Sequence, residues 1–201
     1  YTAFNRSNFQ QEIFELYHDL ITFGTAAMFI EEDEEDLIKF STRHIDEVYI
    51  AENDKGRIDT IYRRFKLSAR AIVQKFGDKV SQDILTMEKK DPYQEIEIIH
   101  AVYPRSDFDP KKKDKQNMPF ESVYMEYKNK NELSVSGFKE FPFVVPRYLK
   151  ASHEIYGRSP AMTALPDVKM LNEMSKTTIK AAQKQVDPPL LVPDDGFLLP
   201  V

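Results

Sequence analysis

The sequence predicts an α+β fold with mostly antiparallel sheet. A cluster of short strands follows an amphipathic N-terminal helix, further alternating segments succeed one another as hairpins, and a long stretch free of Gly and Pro closes the chain. Phe9, Ile13, Leu16, Tyr17 and Leu20 fall at helical spacing. Ser7 followed by Gln10 has the pattern of a capping box, and Gly24 supplies a left-handed C-cap, so a helix is expected over about residues 7 to 23.

Thr25 to Ile30, Leu37 to Arg43 and Glu47 to Ala51 follow as short strands. The chain then turns through Glu52, Asn53, Asp54, Lys55 and Gly56 into a longer strand, Arg57 to Leu67. This reads as a β-meander behind a helix. Ser68 can cap a short helix to Phe76 that Gly77 ends, and Ser81 can cap another to about Lys90, before Asp91-Pro92. Strand pattern returns at Glu95 to Tyr103, where Ile96, Ile98, His100 and Val102 alternate with their neighbours, and at Phe120 to Lys128. The intervening Ser106 to Pro119, charged and aperiodic, reads as a long mobile hairpin loop. A strand Glu132 to Ser136 is expected to turn at Gly137 toward Phe141 to Pro146, held extended by its two prolines.

Ser159-Pro160 has the form of a cap and a first-turn proline, and Pro166 is expected to kink or restart the helix that follows. Asp167 to Val186 could run about 30 Å as one helix. Val168, Leu171, Met174, Ser175, Thr178, Ile179, Ala182 and Val186 share one face of it, and Lys169, Lys176, Lys180 and Lys184 collect on the opposite one. Composition alone favours an ordinary amphipathic helix with a solvated lysine side. Asp187-Pro188-Pro189 stops it, and a strand, turn and strand follow through Pro193-Asp194-Asp195-Gly196.

The 201 residues, 41% hydrophobic and 30% charged, suffice for a buried core. No Cys is present, which excludes disulfides, thiolate metal sites and cysteine nucleophiles. A net charge of −5 argues against a broad basic face that wraps nucleic acid. No apolar run approaches the roughly 18 residues that cross a bilayer, so no membrane partner is expected. The start at Tyr1 and the end at Val201 within Gly196 to Val201 suggest a fragment of something longer.

Motifs with chemistry are scarce. Six Gly compose neither a phosphate loop nor a dinucleotide fingerprint. His18, His44, His100 and His153 are scattered and form no HExxH pattern, so each reads as a packed or surface imidazole. The acidic run Glu31 to Asp36 lacks the ligand spacing of a calcium loop and reads as a solvated turn between two strands. Lys111, Lys112, Lys113 and Lys115 have no aromatic platform and read as a solvated loop tip, and Arg63 and Arg64 point to opposite faces of their strand. No catalytic residue, cofactor or metal site is expected.

Longer strings carry a resemblance. FGTAAMFIEED at Phe23 to Asp33, the segment Val48 to Ser81, EIIHAVYPR at Glu97 to Arg105, the segment Phe141 to Met174, and AAQKQVDPPLLVPDDG at Ala181 to Gly196 resemble the head-to-tail connecting, or portal, proteins of short-tailed bacteriophages. The resemblance spans nearly the whole chain. It implies a non-enzymatic subunit of a ring, typically of twelve copies, at one capsid vertex of the virion, assembled in the host bacterial cytoplasm. The ring would be the channel for DNA packaging and ejection. Implied partners are further copies of the chain, the terminase packaging motor, capsid and scaffold proteins, tail adaptor proteins and, transiently and without sequence preference, double-stranded DNA. By the same resemblance residues 1–158 are a wing, 159–186 a stem helix and 187–201 the beginning of a clip. Lys169, Lys176, Lys180 and Lys184 would then face either the channel or solvent, and Asp187, Pro188, Pro189, Asp194, Asp195 and Gly196 would lie where the motor docks. The competing readings are a metal-dependent phosphodiesterase built on the acidic run and an interaction module without a channel.

Overall fold

Gly24 fixes the exit of the first long helix, because its φ of 80° is one that few other residues adopt without strain. Its backbone N–H donates to the Leu20 carbonyl at 2.9 Å. The structure, a computed structural model, describes residues 2–33, 37–109, 111, 114 and 117–189. It divides into two compact units, residues 1–160 and 161–201. The first opens with α1 (Thr2–Arg6) and α2 (Phe9–Phe23). The expected capping box does not form. Ser7 sits in the break between the helices, donating to the Phe4 carbonyl and accepting from the Phe9 N–H. The N-cap falls to Asn8, whose amide is taken by long-range partners instead: it donates to the Phe40 carbonyl at 2.8 Å and accepts from the Phe40 N–H at 3.0 Å.

Among the described residues eight strands follow: β1 (Ala27–Asp33), β2 (Leu37–Arg43), β3 (Val48–Glu52), β4 (Ile58–Ser68), β5 (Glu95–Pro104), β6 (Phe120–Glu126), β7 (Glu132–Phe138) and β8 (Phe143–Val144). They form two antiparallel sheets, of order β2-β1-β8 and β3-β4-β5-β6-β7. The α+β expectation, with antiparallel pairing, is met. The continuous meander is not, because β2 and β3 belong to different sheets. The reason is burial on both faces of β1: Ala27 and Phe29 enter the core shared with the larger sheet, while Met28 packs under α2. Central strands buried on both faces need cover from two layers, so the chain crosses over through a short 3-10 turn at Ile45–Glu47. Gly137 is likewise no turn. It lies inside β7 opposite Glu121, and the chain leaves the sheet after Phe138 to bring β8 beside β1.

One face of the larger sheet carries two cores. Ile61 and Val102 meet Phe29 and Phe143 of the smaller sheet. Phe65, Ile98 and Leu133 meet α3 (Ala69–Phe76) and α4 (Gln82–Lys90). Ser68 caps α3 as expected, accepting the Ala71 N–H at 3.3 Å. Ser81 stands at the N-cap of α4 as expected, but without a side-chain cap bond: its N–H and hydroxyl both donate to the buried Glu126 carboxylate, at 3.0 and 2.8 Å. Asn129 and Asn131 donate to the same carboxyl group at 3.2 Å each, so both buried oxygens of Glu126 are met by protein donors.

The 105–119 connection joins β5 and β6 as the expected hairpin. Asn117 accepts from the Asp109 N–H and donates to its carbonyl at the base of the loop. The last element is α5 (Pro160–Val186), 27 residues long. Of the two expectations for Pro166, a restart is not met: one helix runs through, since a single proline removes one N–H from an otherwise continuous ladder.

Candidate functional site

α5 has no buried residue. Val168, Leu171, Met174 and Ile179, which share an arc of the helix at 100° per residue, are each about half exposed or more. Met162, Leu165 and Met170 are exposed as well, which the one-face reading of the sequence passed over. Lys169, Lys176, Lys180 and Lys184 lie on the opposite side, all exposed. Lys176 pairs with Glu173 one turn earlier, at 3.2 Å, a contact of a few tenths of a kcal/mol on an open helix surface. Thr177 and Thr178 turn their hydroxyls back onto the carbonyls of Glu173 and Met174, at 2.8 and 2.9 Å. The hydroxyls of these two threonines are thus satisfied within the helix.

Asp187 follows the last helical residue and donates its N–H to the Gln183 carbonyl at 3.0 Å; Asp187, Pro188 and Pro189 are exposed. Asp194, Asp195 and Gly196 lie outside the described residues.

The acidic run departs from its reading as a turn. Glu31, Glu32 and Asp33 belong to β1, with Glu31 opposite Lys39, and Glu34 to Asp36 lie outside the described residues. Among the described residues no group of three or more His, Asp or Glu side chains is placed to hold a metal ion. Lys111 is exposed, while Lys112, Lys113 and Lys115 are not described.

The histidines have structural places. His44 accepts the Asp46 N–H at 3.3 Å, and His18 and His153 are exposed. His100 is buried, stacked 3.9 Å from Tyr124 with the rings nearly parallel, its Nε2 2.9 Å from Ser122 Oγ. Burial, with Lys75, Arg63 and Arg43 adding to it, pushes its pKa down to about 3, so the ring is neutral at physiological pH. Arg63 and Arg64 do take opposite faces, bonding Glu47 and Glu97 at 2.8 Å. An open groove of about 490 Å³ beside them, lined by Asp46, Glu47, Tyr49, Arg64, Lys66 and Glu97, is charged and shallow. It offers no enclosed apolar pocket of the kind that holds small substrates.

What the unit of 161–201 presents is a long exposed helix with an apolar arc and a lysine side, and comparison with known proteins gives that arrangement its context. Residues 1–200 match the family described as bacteriophage head to tail connecting protein. The chain belongs to that family. The portal protein of Salmonella phage epsilon15 is 36% identical over 196 residues, covering 95% of this chain and 35% of that protein. The probable portal protein of Bordetella phage BPP-1 is 33% identical over 194 residues, covering 94% of this chain and 35% of that protein. The chain thus spans about a third of the length of these connecting-protein relatives, and the resemblance read from its strings is borne out.

Proposed function

We propose that this chain is part of a portal subunit: copies of it assemble head to tail into a ring, twelve being the expected number, at one vertex of the phage capsid. DNA enters through the ring during packaging and leaves through it during ejection. In this reading residues 1–158 are wing, 159–186 stem helix and 187–201 the start of the clip, with Asp187, Pro188, Pro189, Asp194, Asp195 and Gly196 on the side of the terminase motor. Capsid and scaffold proteins and tail adaptors complete the partners, and the subunit performs no chemistry of its own.

The family match over residues 1–200 carries the reading. The exposed apolar arc of α5 supports it, since an arc of Val168, Leu171, Met174 and Ile179 left in water forgoes roughly 1.5 to 3 kcal/mol for each large side chain that a neighbouring helix could bury. The acidic balance of the chain, −5, also fits a channel that must let a polyanion slide without adhering. A surface that meets its copy head to tail closes into a ring when the rotation per subunit divides a circle. Native mass spectrometry and electron microscopy of the full-length protein test this: closed rings are expected, and a monodisperse monomer or dimer overturns the proposal.

The lysine side separates two arrangements of the stem. With Lys169, Lys176, Lys180 and Lys184 facing the channel, the combined change Lys176→Glu and Lys180→Glu alters DNA packaging or retention in particles whose rings remain intact. Unchanged packaging assigns that side to solvent.

A further inference from the structure

The edge of a sheet presents a row of unpaired backbone groups, which folds close with charges, very short strands or covering side chains. The two sheets have four edges, β2, β8, β3 and β7, and three are closed from within the chain. On β2 the Asn8 amide takes both the Phe40 N–H and the Phe40 carbonyl, and Glu12 accepts from the Thr42 N–H. On β3 the Tyr156 hydroxyl accepts the Ile50 N–H at 3.2 Å and donates to the Val48 carbonyl at 3.3 Å. β8 is two residues long and lies between Pro142 and Pro146.

β7 differs. It is seven residues long and holds no Lys, Arg or Pro, and the irregularity in its pairing lies at its start, where the 3-10 turn Gly77–Lys79 also packs. The Glu126 N–H donates to the Asn131 carbonyl, on the β7 side of β6, and the Tyr127 N–H donates to the Glu97 carbonyl, on the β5 side. Backbone direction alternates along a strand, so Phe120, Ser122 and Tyr124 face β7, and their partners Phe138, Ser136 and Ser134 face back. The N–H and carbonyl groups of Val135 and Gly137 therefore point away from the sheet, and among the described residues nothing bonds them. Side chains follow the same logic. Val135, Val123 and Ala101 stand side by side on the face turned from the two cores, in a row that ends at this edge, and Gly137 has no side chain to fill the place beside Glu121.

We propose that a strand from the part of the subunit outside residues 1–201 pairs with β7 and makes the larger sheet six-stranded. The other three edges are closed by the chain's own residues, and because the chain covers 35% of each relative, about two thirds of such a protein lies outside it. The edge sets the chemistry of its occupant. Main-chain groups must meet those of Val135 and Gly137, an apolar side chain belongs beside Val135, and a large one fits over Gly137. A second copy suits the edge less well: its β3 is already taken by Tyr156, and β7 against β7 pairs two copies about a two-fold axis, which does not build a ring. The inference rests on the family match and the length of the relatives and stands apart from the ring itself.

Amide hydrogen exchange of the full-length protein, resolved to single residues across β7, tests the added strand. In dilute, unassembled subunits the Val135 and Gly137 amides are expected to exchange at least about a hundredfold more slowly than unpaired amides, as Ser134 and Ser136 do. Val135→Pro withdraws one outward donor and none that β6 uses. In that variant the Gly137 amide is expected to quicken at least about tenfold while Ser134 and Ser136 stay slow. Fast exchange at Val135 and Gly137 in dilute and concentrated protein alike means an open edge and overturns the proposal. Protection that arises only at concentrations where copies associate gives the edge to a second copy and overturns it too, as does a Gly137 amide that stays slow in Val135→Pro. A full-length protein that remains monomeric at every concentration defeats the ring reading, yet the exchange of Val135 and Gly137 still decides this one.

Discussion

Ile98 in β5 and Ile179 in α5 are the same side chain in opposite settings: the first is wholly buried between sheet and helices, the second 59% exposed. The first unit is held by side chains far apart in sequence, with three cores and polar links such as Asn8 to Phe40 and Ser81 to Glu126. α5 is held by its own ladder, by the absence of Gly and by local contacts such as Lys176 to Glu173. Long-range burial makes an element insensitive to its local sequence, whereas a helix with no buried residue depends on propensity and on whatever later covers it.

Core truncation should show the contrast most strongly. Ile98→Ala removes a side chain that nothing nearby can replace and is expected to cost about 2 to 5 kcal/mol in urea unfolding. Ile179→Ala in the isolated chain should stay within about 0.5 kcal/mol, because alanine is the better helix former and no cavity opens. A cost above about 1 kcal/mol would mean that this face of α5 is covered in solution.

Acid should act on the first unit through His100. His100 has a folded pKa of about 3 against 6.5 unfolded, so the unfolded chain binds more protons between those values. Its contribution is therefore full above about pH 6.5 and is lost as pH falls toward 3, with a slope approaching about 1.4 kcal/mol per pH unit. His100→Phe, which keeps a ring on Tyr124, should flatten stability between pH 6.5 and 4; an unchanged slope refutes this origin.

Gly157→Ala sharpens the comparison at the end of the first unit. A Cβ there would lie 2.3 Å from the Gly24 carbonyl oxygen, a backbone atom at the exit of α2, so one strand of chain must shift. A loss of about 1 to 3 kcal/mol is expected by calorimetry. The smallest effect belongs to Lys176→Ala, within about 0.5 kcal/mol for an exposed pair with Glu173.

Where hydrophobic period and special residues coincide, the elements were legible: Gly24 at the end of α2, Ser68 at the start of α3, and the alternation through Ile96 to Val102. Ser7 misled because a capping pattern is a statement about near neighbours, and there a helix break set the bonding; Ser81 does stand at the N-cap of α4, but the distant Glu126 draws its side chain away from the helix. Gly137 misled because a glycine within a paired strand has the same local pattern as one in a turn. Of the candidate site, the two sides of α5 could be read from spacing alone, but the exposure of Met162, Leu165 and Met170 outside the apolar arc could not.

The sequence by itself determined the α+β class, most of the elements, the two-sided α5 and membership of the connecting-protein family, because each rests on local periodicity or on strings of residues read in order. Only the tertiary structure decided that β2 and β3 part into different sheets, that Glu126 binds the start of α4, and that His100 is a neutral core residue. These depend on burial and on hydrogen bonds between residues distant along the chain, and a buried group's charge is set by what surrounds it.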